Sequence, residues 1–164
     1  MKDNLHKLVE LMARLRGPDG CPWDRKQTTG SLKPFLIEEC YEVVDALDEG
    51  KPEKVREELG DLLFQIIFHA RIAEERGEFT IWDVIETNVE KMTRRHPHVF
   101  GSEKFETDKE VLANWEEIKK REKGYAERKS ILEGVPRDLP SLLRAHRLQE
   151  RAARVGFDWS HIDE

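Results

Sequence analysis

The chain has 164 residues, with 28 Lys or Arg against 34 Asp or Glu, a formal net charge of −6. That balance excludes duplex nucleic acid as the main partner, because phosphate neutralisation needs a basic surface. Charged residues at 38% exceed the roughly 25% of an average domain, while apolar residues at 38% are enough for a core. A chain of this length buries roughly 70% of its unfolded surface. Cys21 and Cys40 supply neither a disulfide framework nor a four-thiolate zinc site. No apolar leader follows Met1, and the most apolar stretch, Leu62 to Ala70, is short and interrupted by Gln65 and His69. No membrane span is expected, and the cytoplasm is the expected location.

Apolar residues recur at helical spacing almost throughout, which predicts an all-α bundle. A first helix is expected from Asn4 to Arg16, burying Leu5, Leu8, Val9, Met12 and Leu15 and stopping at Gly17-Pro18. A loop follows from Gly17 to Gly30, with Trp23 in its middle as a packing or base-stacking residue. Ser31 reads as the N-cap of a second helix with Pro34 in its first turn and Gly50 as its C′ residue. Its apolar side, Leu36, Cys40, Val43, Val44 and Leu47, is expected in the core. The third helix opens at Pro52 and closes at Gly77, carrying Leu59, Leu63, Ile66, Ile67 and Ala70. Thr80 with Asp83 and Thr107 with Glu110 are capping boxes for a fourth helix through Arg95 and a fifth to Lys123. A sixth is expected from Ser141 to Val155.

Two acidic runs carry the chemistry, Glu38-Glu39-Cys40-Tyr41-Glu42 and Glu57-Glu58-Leu59-Gly60-Asp61. Glu39 and Glu42 lie about 60° apart on one helix, as do Glu58 and Asp61 on the next, so four carboxylates can converge across the Gly50 turn. One alternative is a solvated acidic face. A solvated helix interleaves Lys or Arg at i+4, however, and here only Glu58 has a basic residue four positions away, Lys54. Crowded like charges need a cation, and an all-oxygen donor set suits Mg²⁺, with Mn²⁺ as the second choice. The Glu-x-x-His pairs of ferritin-like bundles are missing from these runs.

Lys91, Arg94 and Arg95 share one face of the fourth helix. They either complement the helix dipole or bind phosphate, Arg as a fork and Lys as a point charge. Trp115 and Lys119, i and i+4, are either core plus solvent or part of the same site, and His96 and His98 read as loop-ordering residues.

With Glu-Glu-x-x-Glu at 38–42 and Glu-x-x-Asp at 58–61, the chain resembles the MazG-type nucleoside triphosphate pyrophosphohydrolases. Gly20-Cys21-Pro22-Trp23-Asp24, Arg94-Arg95-His96-Pro97-His98-Val99-Phe100, Trp115 with Lys119, and Gly156-Phe157-Asp158-Trp159 extend the likeness. The resemblance implies a helical bundle of the all-α NTP pyrophosphatase type, completed by a second subunit. It implies Mg²⁺-dependent hydrolysis of nucleoside triphosphates between the α and β phosphates, with broad base use and a role in clearing aberrant nucleotides. It assigns Glu39, Glu42, Glu58 and Asp61 to the metal, and Lys91, Arg94, Arg95, Trp115 and Lys119 to the nucleotide. Glu38 is the expected residue to take the proton of the attacking water or to hold an outer water. Residues 1–123 form the expected catalytic domain, 124–140 a linker, and 141–164 a helix that either docks or opens a second unit. The rival reading is a helical nucleotide-binding or dimerising module that uses the same groove without turnover.

Overall fold

The computed structural model describes residues 4–122, 130–153 and 155–157. Every regular element among them is helical: α1 Asn4–Leu15, α2 Pro22–Lys26, α3 Lys33–Glu49, α4 Pro52–Glu75, α5 Ile81–Arg95, α6 Pro97–Phe100, α7 Asp108–Arg121 and α8 Ser141–Ala153. The all-α expectation holds. No helix among the described residues is long and apolar enough to cross a membrane. The chain divides into two compact units, the first ending at Met92 and the second beginning at Thr93.

In the first unit, α4 packs against both α3 and α1. Its core holds Met12, Leu32, Ile67, Phe68, Ala70, Ile72 and Ile81, with Leu5, Leu8, Val9 and Phe64 packed around it. The α1 contributors fall at i, i+3, i+4 and i+7, so one stripe of that helix is spent on the core. The α3–α4 hairpin turns at Gly50, whose φ of 68° is left-handed and whose amide donates to the Leu47 carbonyl. A Cβ there would meet nothing within 4 Å, so the position selects glycine by backbone angle alone.

The segment expected as a plain loop from Gly17 to Gly30 contains α2, with Pro22 in its first turn. Arg16 holds this segment: its guanidinium pairs with Glu75 at 2.7 Å and donates to the carbonyls of Asp24 and Gln27. Gly20 is required for a different reason from Gly50, since a Cβ at Gly20 would lie 2.1 Å from the Leu15 carbonyl oxygen.

Ser31 is not the cap of α3. That place belongs to Leu32, whose side chain is buried and makes no capping bond. Ser31 and Thr28 instead exchange hydrogen bonds in the preceding turn, Thr28 N–H to Ser31 Oγ at 2.9 Å and Ser31 N–H to Thr28 Oγ1 at 3.1 Å. The expected core face of α3 is also narrower than the pattern suggests. Val43 and Ala46 are buried, whereas Cys40, Val44 and Leu47 are exposed. On α4, Leu59, Leu63 and Ile66 are likewise exposed, while Ile67 and Ala70 are buried. One apolar side of the hairpin therefore lacks cover from the described part of its own chain.

Thr80 and Asp83 close their capping box: Thr80 N–H donates to Asp83 Oδ2 at 2.7 Å and Asp83 N–H to Thr80 Oγ1 at 3.3 Å. Thr107 accepts from Glu110 N–H at 3.3 Å, but Glu110 returns its carboxylate to the amide of Glu106, at 2.9 Å. The expected helix end at Lys123 and the tail residues Asp158 and Trp159 lie outside the described residues. The linker expected at 124–140 is described only from Ser130 onward. Helix α8 stops at Ala153, and the Phe157 amide turns back to the Ala152 carbonyl at 3.1 Å.

Candidate functional site

The hairpin brings the acids together. Carboxylate oxygens of Glu39, Glu58 and Asp61 all lie within 4.8 Å of one another. Helical periodicity places Glu58 and Asp61 on one face of α4, and the antiparallel return of the chain sets that face against Glu39 on α3. Partial burial pushes the Glu39 carboxyl above the usual carboxylate range, and the charges of Glu42 and Asp61 push it further. Glu58 is raised for the same reasons, loss of water first and then repulsion from Glu42, Glu57 and Asp61. Glu42 thus lies close enough to act electrostatically on both, although it is outside the three-oxygen group. Glu38, the neighbour of Glu39, is exposed and is also outside that group.

Lys54, the cation four residues from Glu58, is engaged elsewhere. Its ammonium pairs with Glu49 at 2.5 Å, and its influence on Glu58 is the weakest of those acting there. The donor set fits a hard divalent cation: three carboxylates at one point, with only oxygen to offer.

The expected nucleotide residues fall in two places. Lys91 is half-buried in the first unit and lines a largely apolar groove of about 810 Å³ with Leu63, Ile66, Val84 and Asn88. Arg94 and Arg95 follow at the end of α5, in the second unit, and converge on Glu122: Arg94 Nη2 at 2.7 Å, Arg95 Nε at 3.0 Å and Arg95 Nη2 at 2.5 Å. Two guanidinium groups on one carboxylate hold Glu122 down at about 2. Arg95 also lies over the Trp115 ring, 5.6 Å from its centroid, and His96 meets the same ring edge-on at 4.7 Å. The His96 and His98 rings lie 5.6 Å apart at the start of α6, their planes tilted by 51°. Lys119 is half-buried and lines a small cavity of about 220 Å³ with Val135, Leu139 and Arg151. Trp23 packs edge-on against Phe35 at 5.8 Å and remains 52% exposed.

Two residues escaped the sequence reading. Gln65, 9% exposed, donates its amide to Glu39 Oε1 at 3.3 Å; its position one turn after Asp61 was the available signal. Glu122, the shared partner of both arginines, gave none, being 27 and 28 residues from them.

Residues 27–100 match the model of the MazG nucleotide pyrophosphohydrolase domain, a span that contains Glu38, Glu39, Glu42, Glu58 and Asp61. A Thermotoga maritima protein described as nucleoside triphosphate pyrophosphohydrolase/pyrophosphatase MazG is 54% identical over 153 residues, 93% of this chain and 58% of that protein. The Escherichia coli K12 nucleoside triphosphate pyrophosphohydrolase is 45% identical over 161 residues, 98% of this chain and 61% of that protein. The chain thus spans about three fifths of the length of these relatives. The crystal structure of a mazG-related protein from Thermotoga maritima superposes with a TM-score of 0.60 at 31% identity, covering 71% of this chain and 99% of that one. From the acid pattern, the helical hairpin that assembles it and these relatives, the chain belongs to the MazG family.

Proposed function

We propose that this chain hydrolyses nucleoside triphosphates to the monophosphate and pyrophosphate, with Mg²⁺ or Mn²⁺ as cofactor. The observation that carries the reading is the convergence of Glu39, Glu58 and Asp61 within 4.8 Å, a repulsive arrangement that a divalent cation offsets. Those three residues, with Glu42 beside them, would hold the ion. An ion bound there supplies Lewis acidity and neutralises triphosphate charge. The chain supplies the rest. The resemblance assigns Lys91, Arg94, Arg95 and Lys119 to phosphate oxygens and Trp115 to the nucleotide. Glu38 accepts the proton of a water whose oxygen attacks the α-phosphorus, the bond to the bridging oxygen breaks, and pyrophosphate leaves with its charge met by the cationic side chains.

Contacts to phosphate and to a ring face give little base selectivity, which suits broad substrate use and the clearing of unwanted nucleotides from a cytoplasmic pool. A second copy of the chain is the expected cover for the exposed apolar side chains of the hairpin, Ile37, Tyr41, Val44, Leu59, Leu63 and Ile66. Sedimentation of the purified protein should give a dimer mass or a multiple of it, and a monomer at micromolar concentration would remove that element.

The activity is tested by measuring pyrophosphate release from the common nucleoside triphosphates with Mg²⁺, with Mn²⁺ and with chelator. Metal-dependent release that Asp61→Asn abolishes is expected. Saturable nucleotide binding without product would establish the rival reading, a binding module without turnover.

A further inference from the structure

We infer that Gln65 is a positioning residue for the metal site, holding the Glu39 carboxylate from below through its side-chain amide. This inference rests on the metal reading proposed above. Gln65 projects from α4 one turn beyond Asp61 and is 9% exposed. Its Nε2 donates to Glu39 Oε1 at 3.3 Å, so one helix ties down a ligand carried by the other. Metal-binding carboxylates are commonly oriented by such outer partners.

The other end of the amide strengthens the case. Gln65 Oε1 is buried with no hydrogen-bond partner among the described residues, and His69 Nε2, one turn further along the same face, is in the same state. A buried amide with one end unsatisfied is a poor choice for packing, because an apolar side chain of equal volume would fill the space without desolvating an oxygen. The neighbouring positions on α4 follow that rule, with Ile67, Phe68 and Ala70 all buried. Glutamine at 65 therefore costs stability locally, and what it returns is a fixed orientation for Glu39. Without that donor the carboxylate would be free to swing away from Glu58 and Asp61, towards water.

The test measures Mn²⁺ binding by calorimetry and melting temperature in chelator, on wild type and on Gln65→Met, which keeps the volume and removes the donor. Mn²⁺ affinity should fall about 10-fold or more, while the metal-free melting temperature holds or rises. A variant that melts lower in chelator yet binds Mn²⁺ as wild type does would make Gln65 a packing residue and overturn the inference. Wild-type protein that binds no Mn²⁺ would overturn the metal reading and this inference together, which separates the two failures. A wild-type measurement covers a variant that does not fold. On Mg²⁺ saturation the side-chain amide signal of Gln65 should shift while those of Gln27 and Gln149 stay in place, and three unmoved signals would also overturn it.

Discussion

The acidic hairpin and the arginine cluster treat charge in opposite ways. On α3 and α4 the carboxylates are gathered against their own repulsion, and the nearest lysine is given to Glu49. At the end of α5 two guanidinium groups share Glu122, which is pulled far below the usual carboxylate range. The first arrangement leaves a repulsion that a bound cation would relieve; the second is neutralised within the chain. One set of charges is thus left poised and the other occupied. Bringing phosphate to Arg94 and Arg95 exchanges one oxyanion for another.

The largest expected effect comes from relieving the repulsion. Glu58→Gln should cut pyrophosphate release by about 100-fold or more, the scale of losing a group that organises charge at the reacting centre. Its melting temperature in chelator should not fall, because a like charge has left the cluster. A variant that loses stability along with activity would break the contrast, since the acids would then be structural.

The arginine side should respond to pH. The Glu122 carboxyl is lowered in the folded chain to about 2, so its contribution is fully present above the unfolded carboxylate value of about 4.3 and is lost as pH falls towards about 2. The stability gap between wild type and Glu122→Gln should be about 1–2 kcal/mol at pH 7, given the solvent that still reaches the pair, and should close across that acid window. Melting curves at pH 7, 4 and 2.5 check it. A gap that persists unchanged at pH 2.5 would mean that the ion pairs are not its source.

The smallest effect calibrates the other two. Thr80→Ala removes the cap of α5 and should cost about 1 kcal/mol, roughly 2–4 °C in melting temperature, with no change in product release at 25 °C. A loss of activity on that scale would show that the site depends on the start of α5, away from both clusters.

What could be read from the sequence was mostly what acts within one or two turns. The Thr80–Asp83 box, the glycine that ends α3 and the 60° spacing of Glu58 and Asp61 depend on neighbours three or four residues away, and all are found as expected. Short-range competition defeated two readings. Ser31 had a nearer partner in Thr28, and α2 is a five-residue turn too short for a periodic signal. The core face of α3 is narrower than its pattern implies because apolar periodicity marks a side to be covered without saying which chain covers it. Gln65 and Glu122 stayed hidden because their partners are 26 to 28 residues away.

The turn at Gly50 has one further consequence. Glu42 and Glu58 stand eight residues before and after it, and Glu39 and Asp61 stand eleven. In two antiparallel rods each acid therefore meets its counterpart at the same height, about 12 Å and about 16 Å from the bend at a rise of 1.5 Å per residue. The hairpin works like a folded ruler whose marks coincide. An inserted residue on either arm, between the bend and the first mark, would shift both marks by about 1.5 Å and swing them by about 100°. Along those eight-residue arms exposed side chains can therefore change, but length cannot.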